Sequence, residues 1–215
     1  MIVYGSSMSP FVRKVLAYAS EKGIGLESRA VGMADQDPEF RAASPFGKMP
    51  ALADGDYRLA DSSAIIHYLE ARYPEPMLIP AEARARGRVI WFEEFADTIL
   101  SACGAKMFFN RVVAPIFLKR SGDLEVANNA EREELPKLLD YLESVIPDVG
   151  FLVGETLTLA DIAVASPLAN LGHVDVEIDC ARHPRTAAYA ERILNRPSFA
   201  SLVAKERAFL ARARA

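Results

Sequence analysis

Two short motifs in the first third of the chain could together hold a small peptide. Met49 and Pro50 form an X-Pro bond at the predicted start of a strand, a place where proline is unusual inside a sheet. A cis bond there would turn the N–H and C=O of Met49 outward, as a strand-like edge for a peptide backbone. Asp61 and Ser62 stand directly before an apolar helical segment, and the N–H groups at the start of a helix bind anions. The two motifs predict a site for a peptide backbone and a nearby carboxylate.

Four segments that include these motifs resemble the cytosolic glutathione transferase superfamily. The segments are Tyr-Gly-Ser-Ser-Met-Ser-Pro-Phe-Val-Arg-Lys-Val at 4–15, Pro-Phe-Gly-Lys-Met-Pro-Ala-Leu at 45–52, Asp-Ser-Ser-Ala-Ile at 61–65 and Leu-Thr-Leu-Ala-Asp-Ile-Ala at 157–163. They follow the order of the family and span most of the chain. The resemblance, to bacterial serine-type and theta- or zeta-like members, implies an enzyme that conjugates glutathione to small hydrophobic electrophiles and so serves detoxification.

The resemblance also implies two domains. We expect an α/β thioredoxin-like, glutathione-binding domain over 1–78, a linker over 79–85, and an all-α domain over 86–215 that forms the electrophile site. This is the glutathione transferase fold. Family members are usually homodimers, and we expect the same here.

Hydrophobic periodicity agrees with this division. In the first part it predicts strands at 2–4 and 26–31, a helix from Pro10 to Gly23, a polar segment over 33–43 with at most one helical turn, a hairpin over 51–59, and a helix over 62–73. In the second part it predicts helices over 83–120, 124–145, 158–171, 185–194 and 198–213. Pro115 and Pro136 fall inside the helical pattern, where proline kinks or interrupts a helix.

Ser9 is the residue that the resemblance assigns to catalysis. It precedes Pro10, and this pair is a typical N-cap and first helical residue. A hydroxyl beside a helix N-terminus can stabilise a thiolate. Two alternatives stay open: Ser6, if the loop is aligned with the zeta-class motif, and Tyr4, where tyrosine-type classes keep their catalytic residue.

The remaining site residues are also implied by the resemblance. Met49 and Pro50 would hold the cysteinyl backbone of glutathione. Ser62 would bind the γ-glutamyl carboxylate, and Asp61 would bind the ammonium. Lys48 would neutralise the glycyl carboxylate, and Gln36 is another candidate. For the electrophile we name Phe11, Met107 and Phe108, although aromatic residues at helical spacing fit a core equally well.

One motif in the second half has a structural interpretation. Thr158 and Asp161 form a capping box, and Leu157 and Ile162 occupy the flanking hydrophobic-staple positions. We expect the motif to stabilise the fold rather than to take part in catalysis.

Composition limits the other classes of function. The chain has 215 residues and a formal net charge of -4, without the basic excess of a nucleic-acid-binding protein. The two cysteines, Cys103 and Cys180, lie far apart and indicate a reducing compartment, so we expect a cytoplasmic protein. We see no signal peptide, no metal motif, and no apolar run near the roughly 18 residues that cross a membrane. Glutathione, as substrate or cofactor, is the only small molecule expected besides the electrophile.

Two other functions fit the same motifs. A glutathione-dependent isomerase of the maleylacetoacetate type, or a dehalogenase or ether-cleaving relative, would use the same site. A non-catalytic binding or regulatory protein would keep the fold without the chemistry.

Overall fold

The computed structural model describes residues 1–32 and 35–214. They form two compact units, Met1–Ile79 and Pro80 onward. The first helix of the second unit begins at Ala83, within the segment that the sequence predicts as a linker.

The first unit is a small mixed α/β fold. Its elements in chain order are β1 (Ile2–Tyr4), α1 (Pro10–Glu21), β2 (Glu27–Arg29), α2 (Pro38–Ala43), β3 (Ala51–Asp54), β4 (Tyr57–Ala60) and α3 (Ser62–Arg72). The described strands form one sheet in the order β2-β1-β3-β4, with β1 parallel to β2 and antiparallel to β3. This confirms the predicted order of a βαβ unit followed by ββα. β2 is shorter than predicted, and Met33, where the predicted polar segment begins, lies outside the described residues.

The second unit is helical throughout its regular elements. The α-helices are α4 (Ala83–Glu94), α5 (Ser101–Phe108), α6 (Leu124–Asn129), α7 (Leu135–Val145), α8 (Leu159–Leu171), α9 (Pro184–Leu194) and α10 (Pro197–Arg214). π-helical stretches lie at Phe95–Leu100, Phe109–Phe117 and Ala130–Glu134; the first and third join neighbouring α-helices, and the second continues α5. Pro115 lies inside the second stretch and Pro136 lies in the first turn of α7, just after the third. Both prolines therefore mark departures from regular α geometry, as predicted.

α8 is the central helix of this unit, and each of its residues from Leu159 to Leu171 is buried. It begins with the predicted capping box, in which Thr158 and Asp161 each bond the backbone of the other. The box lies inside the core, so the carboxylate is fully shielded from solvent. The predicted structural role of the motif is confirmed.

One prediction about apolar runs is wrong. The continuous helix Ala83–Phe117 is 35 residues long and contains a window of mean hydropathy 1.2, enough to cross a membrane by length and composition alone. Lys106 and Arg111 interrupt the apolar pattern of this helix in the sequence. Its apolar residues Val89, Phe92 and Leu100 recur at helical spacing and are buried, because α4 packs against α8. Part of this helix therefore packs in the core of the second unit.

Candidate functional site

Strand register brings the predicted motifs of the first unit to one end of the sheet. Tyr4 pairs with Ala51 on β3, and Ala51 pairs in turn with Ala60 on β4. The chain leaves β1 after Tyr4, enters β3 at Ala51 and leaves β4 after Ala60. The loop of residues 5–9, the Met49–Pro50 bond and the Asp61 cap therefore all lie at the same end of the sheet.

Gly5 holds the loop against this edge. It has a φ of +144°, and its N–H donates to the Arg29 carbonyl at 2.9 Å. A Cβ on Gly5 would lie 2.5 Å from Val12 Cγ2 and 3.2 Å from Met49 Cβ. Only glycine permits so close an approach, and the loop that follows therefore starts beside Met49.

Ser9 begins α1 as predicted, but its side chain does not cap the helix. Its backbone is extended (φ −72°, ψ 126°), Pro10 is the first helical residue, and the Ser9 carbonyl accepts the N–H of Arg13 at 2.9 Å. Its hydroxyl makes no capping hydrogen bond. The half-buried hydroxyl thus lies at the positive end of the helix dipole without serving the helix itself.

Both alternative residues, Ser6 and Tyr4, make side-chain hydrogen bonds. The Ser6 hydroxyl accepts the Met8 N–H at 3.4 Å within the loop. Tyr4 is only 1% exposed, and its hydroxyl donates to Glu39 Oε2 at 3.2 Å. Burial, together with Glu39, raises the pKa of Tyr4, which opposes the formation of a phenolate.

The Met49–Pro50 bond is cis, as the sequence suggested. Pro50 is buried at the start of β3 and Met49 is half-buried. The preceding loop is fixed by the Ser44 hydroxyl, which donates to the Lys48 carbonyl at 2.6 Å. Lys48 and Gln36 are both exposed to solvent.

Asp61 is the N-cap of α3. Its Oδ1 accepts the N–H of Ser63 at 2.9 Å and that of Ala64 at 3.1 Å. Its φ is +81°, a left-handed conformation that costs a non-glycine residue on the order of 1–3 kcal/mol and often marks a functional site. Ser62 is the buried first residue of the helix. The predicted anion site is therefore smaller than expected, since Asp61 already takes two of the first N–H groups.

Sequence reasoning did not single out Lys14. It lies on α1, is 1% exposed, and its Nζ donates to the Ser63 hydroxyl at 3.3 Å. The available signal was its position: Arg13 and Lys14 stand between Val12 and Val15, which face the core of the unit. Charged residues are seldom buried unless they have partners. The contact with Ser63 connects this buried lysine to the first turn of α3.

The electrophile candidates occupy different environments. Phe11 is half-buried on α1. In the second unit Met107 is fully buried in the core, whereas Phe108 is half-buried with its ring centroid 6.4 Å from that of His173. Of this pair, Phe108 is the one that retains a surface for contact.

Within residues 1–32 and 35–214, no group of three or more His, Cys, Asp or Glu side chains is arranged to hold a metal ion. Of the two cysteines, Cys180 is exposed and Cys103 is buried. Burial raises the pKa of the Cys103 thiol to about 11, so it is a structural residue rather than a nucleophile.

Comparisons with known proteins match both units to one family. Residues 3–77 match the glutathione S-transferase N-terminal domain, and residues 106–197 match its C-terminal domain. A glutathione S-transferase of Hyoscyamus muticus is 30% identical over 94% of this chain and 97% of its own length. Glutathione S-transferase theta-2B of Homo sapiens is 32% identical over 84% of this chain and 75% of its own.

A solved structure agrees with these relatives. A glutathione S-transferase of Methylobacterium radiotolerans, in complex with glutathione sulfonate, superposes with a TM-score of 0.77 at 26% identity, over 94% of this chain and 93% of the other. Domain matches, full-length identity and shared architecture agree, and the chain belongs to the glutathione S-transferase family of enzymes.

Proposed function

We propose that this enzyme activates the thiol of glutathione through Ser9 and conjugates it to small hydrophobic electrophiles. One observation carries the proposal: the Ser9 hydroxyl stands at the N-terminus of α1 and makes no capping hydrogen bond. The Tyr4 hydroxyl donates to Glu39, and the Ser6 oxygen accepts the Met8 N–H within the loop. We therefore assign the enzyme to the serine-type members of the family.

The remaining motifs supply the binding groups for glutathione. The backbone of Met49, at the edge of the sheet next to Gly5, would pair with the cysteinyl residue. Asp61 would face the γ-glutamyl ammonium, and the Ser62 N–H would bind the carboxylate. Lys48, exposed after α2, would neutralise the glycyl carboxylate. The glutathione sulfonate bound by the Methylobacterium relative supports a ligand of this class.

The chemistry requires little beyond a stabilised anion and a fixed geometry. A free thiol has a pKa near 8.5, and lowering it by one to two units needs roughly 1.4–2.8 kcal/mol of preferential stabilisation. A hydrogen bond from Ser9 and the dipole of α1 are suited to supply it. The thiol proton passes to solvent, the thiolate sulfur forms a bond to an electrophilic carbon, and the leaving group departs or the electron pair moves into an acceptor.

The decisive experiment is the ultraviolet absorbance of bound glutathione thiolate as a function of pH, for the native enzyme and Ser9→Ala. We expect a bound thiolate that titrates below the free thiol and loses this advantage in the variant. Glutathione that binds without ionising early would overturn the proposal and indicate a non-catalytic relative.

Product analysis then determines the fate of glutathione. Conjugation depletes free thiol with each turnover, whereas an isomerase of the maleylacetoacetate type regenerates it. Loss of thiol in step with product formation is the result we expect.

The proposal extends to the location of the enzyme, its oligomeric state and the contacts of its electrophile. We place the enzyme in the cytoplasm as a homodimer that acts in detoxification. Phe46, 88% exposed in the loop before β3, would give the dimer a hydrophobic contact. Phe108 on the helical unit provides a surface for the electrophile.

A further inference from the structure

We propose that Lys14 is a positioning residue for the γ-glutamyl carboxylate of glutathione, an inference that rests on the proposed function. Lys14 lies on α1, the helix that Ser9 begins, and its Nζ reaches across to Ser63 Oγ at 3.3 Å. Ser63 is the second residue of α3. A single buried ammonium thus connects the helix of the thiol-activating residue with the helix that would bind the carboxylate.

The need for a positive charge follows from the way α3 is capped. Asp61 Oδ1 accepts the N–H groups of Ser63 and Ala64, so these donors are not offered to a ligand. The Asp61 carboxylate also brings a negative charge to the helix end that would receive a second carboxylate. The γ-glutamyl ammonium would offset the charge of Asp61, so the carboxylate beside it still needs a cation of its own.

Lys14 provides that cation in an environment where it is effective. Its side chain is almost completely shielded from solvent, so its field is weakly screened compared with that of an exposed lysine. The hydrogen bond to Ser63 also holds the first turn of α3, and with it the Ser62 N–H, in place. Lys14 thereby acts through Ser63 and through its charge.

A second buried lysine on the same helix offers a matched control. Lys22, at the C-cap of α1, is also buried, but its Nζ bonds Glu70 Oε2 at 2.5 Å and the Pro76 carbonyl at 2.6 Å. These partners lie away from the first turn of α3. Substitution of either lysine removes a buried charge, yet only Lys14 contacts the turn that would bind the carboxylate.

The test compares two ligands by calorimetric titration of the full-length protein. Glutathione is one, and γ-aminobutyryl-cysteinylglycine, which lacks only the γ-glutamyl carboxylate, is the other. We expect Lys14→Met to weaken glutathione binding about tenfold, the scale of one charge-assisted contact, and to change binding of the analogue less than about twofold. Lys22→Met should leave the affinity for both ligands within about twofold of the native value.

Ser63→Ala is the second variant, and it preserves the buried charge. We expect a smaller loss for glutathione than in Lys14→Met, again absent for the analogue, and a double variant whose loss is less than the product of the two. Equal losses for glutathione and the analogue in Lys14→Met would overturn the proposal, as would unchanged glutathione binding. If Lys14→Met does not fold, Ser63→Ala alone decides by the same criterion. Native protein that binds no glutathione would instead refute the proposed function.

Discussion

The Tyr189 hydroxyl donates a hydrogen bond to Oδ1 of the fully buried Asp161 at 3.0 Å. The same oxygen accepts the Leu152 N–H at 2.9 Å, and Oδ2 accepts the Thr158 N–H at 2.9 Å. One carboxylate thus joins α8, α9 and the loop before α8. Burial raises the pKa of Asp161, whereas these hydrogen bonds act in the opposite direction.

This geometry makes Asp161 more than a helix cap. A simple cap contributes about 1 kcal/mol, which is what the sequence alone predicts. Asp161→Ala leaves buried donors on Leu152, Thr158 and Tyr189 without an acceptor, and we expect it to lower the free energy of unfolding by about 3 kcal/mol or more. Urea unfolding of the native protein and the variant measures the difference. Tyr189→Phe, which removes one donor and leaves the box intact, should cost about 1 kcal/mol; equal costs would contradict this account.

We expect Glu143 to make the stability of the fold depend on pH. Burial raises the pKa of Glu143, but the N–H and hydroxyl of Thr186 and the donors of Arg185 outweigh it and lower the pKa to about 2. A carboxylate with a lowered folded pKa stabilises the fold above its unfolded pKa, and the contribution disappears as pH falls through the folded value. We therefore expect Glu143→Gln to melt at a lower temperature than the native protein at neutral pH, with the gap closing between about pH 5 and pH 2.

The control for this prediction is Glu155→Gln, which changes an exposed carboxylate in the loop before α8. Its melting temperature should follow that of the native protein across the same range. A constant gap between Glu143→Gln and the native protein down to pH 2 would show that Glu143 stabilises the fold through packing rather than charge.

Much of the fold could be predicted from local patterns, because helix starts and strand pairs carry short-range signals. The pair Ser9 and Pro10 marked α1, and Thr158 with Asp161 marked α8. Local patterns could not predict which hydrogen bonds a side chain makes. Ser9 begins its helix without capping it, whereas Asp61 caps α3 and so takes two of the N–H groups that the sequence predicted for a ligand.

Hydrogen bonds between residues far apart in sequence could not be predicted either. Lys14 and Ser63 are separated by 49 positions, and Tyr189 and Asp161 by 28. Neither pair has a spacing that a single sequence can reveal, because each depends on how two helices pack. The same holds for the apolar helix Ala83–Phe117, whose burial depends on its packing partners.

Ser9, Ser6 and Tyr4 can be separated by matched substitutions. Removing a hydroxyl that stabilises the thiolate by one to two pKa units should lower turnover at neutral pH roughly 10- to 100-fold. We expect this loss in Ser9→Ala and less than about threefold in Ser6→Ala and Tyr4→Phe. Steady-state rates with a chromogenic electrophile measure it. The largest loss in Tyr4→Phe, with Ser9→Ala near native, would move the assignment to the tyrosine.

Substitution of Gly5 tests whether the loop before Ser9 and Met49 depend on each other at this end of the sheet. A methyl group on Gly5 would meet Val12 and Met49, and alanine disfavours a φ of +144°. We expect Gly5→Ala to raise KM for glutathione several-fold by displacing Met49 and the loop before Ser9. Gly55→Ala is the control, since Gly55 also has a positive φ but has open space around it, in the distant β3–β4 turn. It should lower stability while leaving KM unchanged, and equal changes in KM would contradict the role of Gly5.

Phe46 is the residue that we propose as a contact of the homodimer. It is 88% exposed in the loop before β3, and it is the aromatic side chain that we propose as the anchor of the dimer. If Phe46 is such an anchor, Phe46→Ser removes about 2 kcal/mol of association energy, so the dimer dissociates about 30-fold more readily. Val149→Ser is the control: Val149 is 81% exposed in the loop after α7 and should not affect association. Sedimentation across a range of concentrations measures both; a native protein that sediments as a monomer contradicts the homodimer, whereas equal effects of the two variants contradict only the anchor.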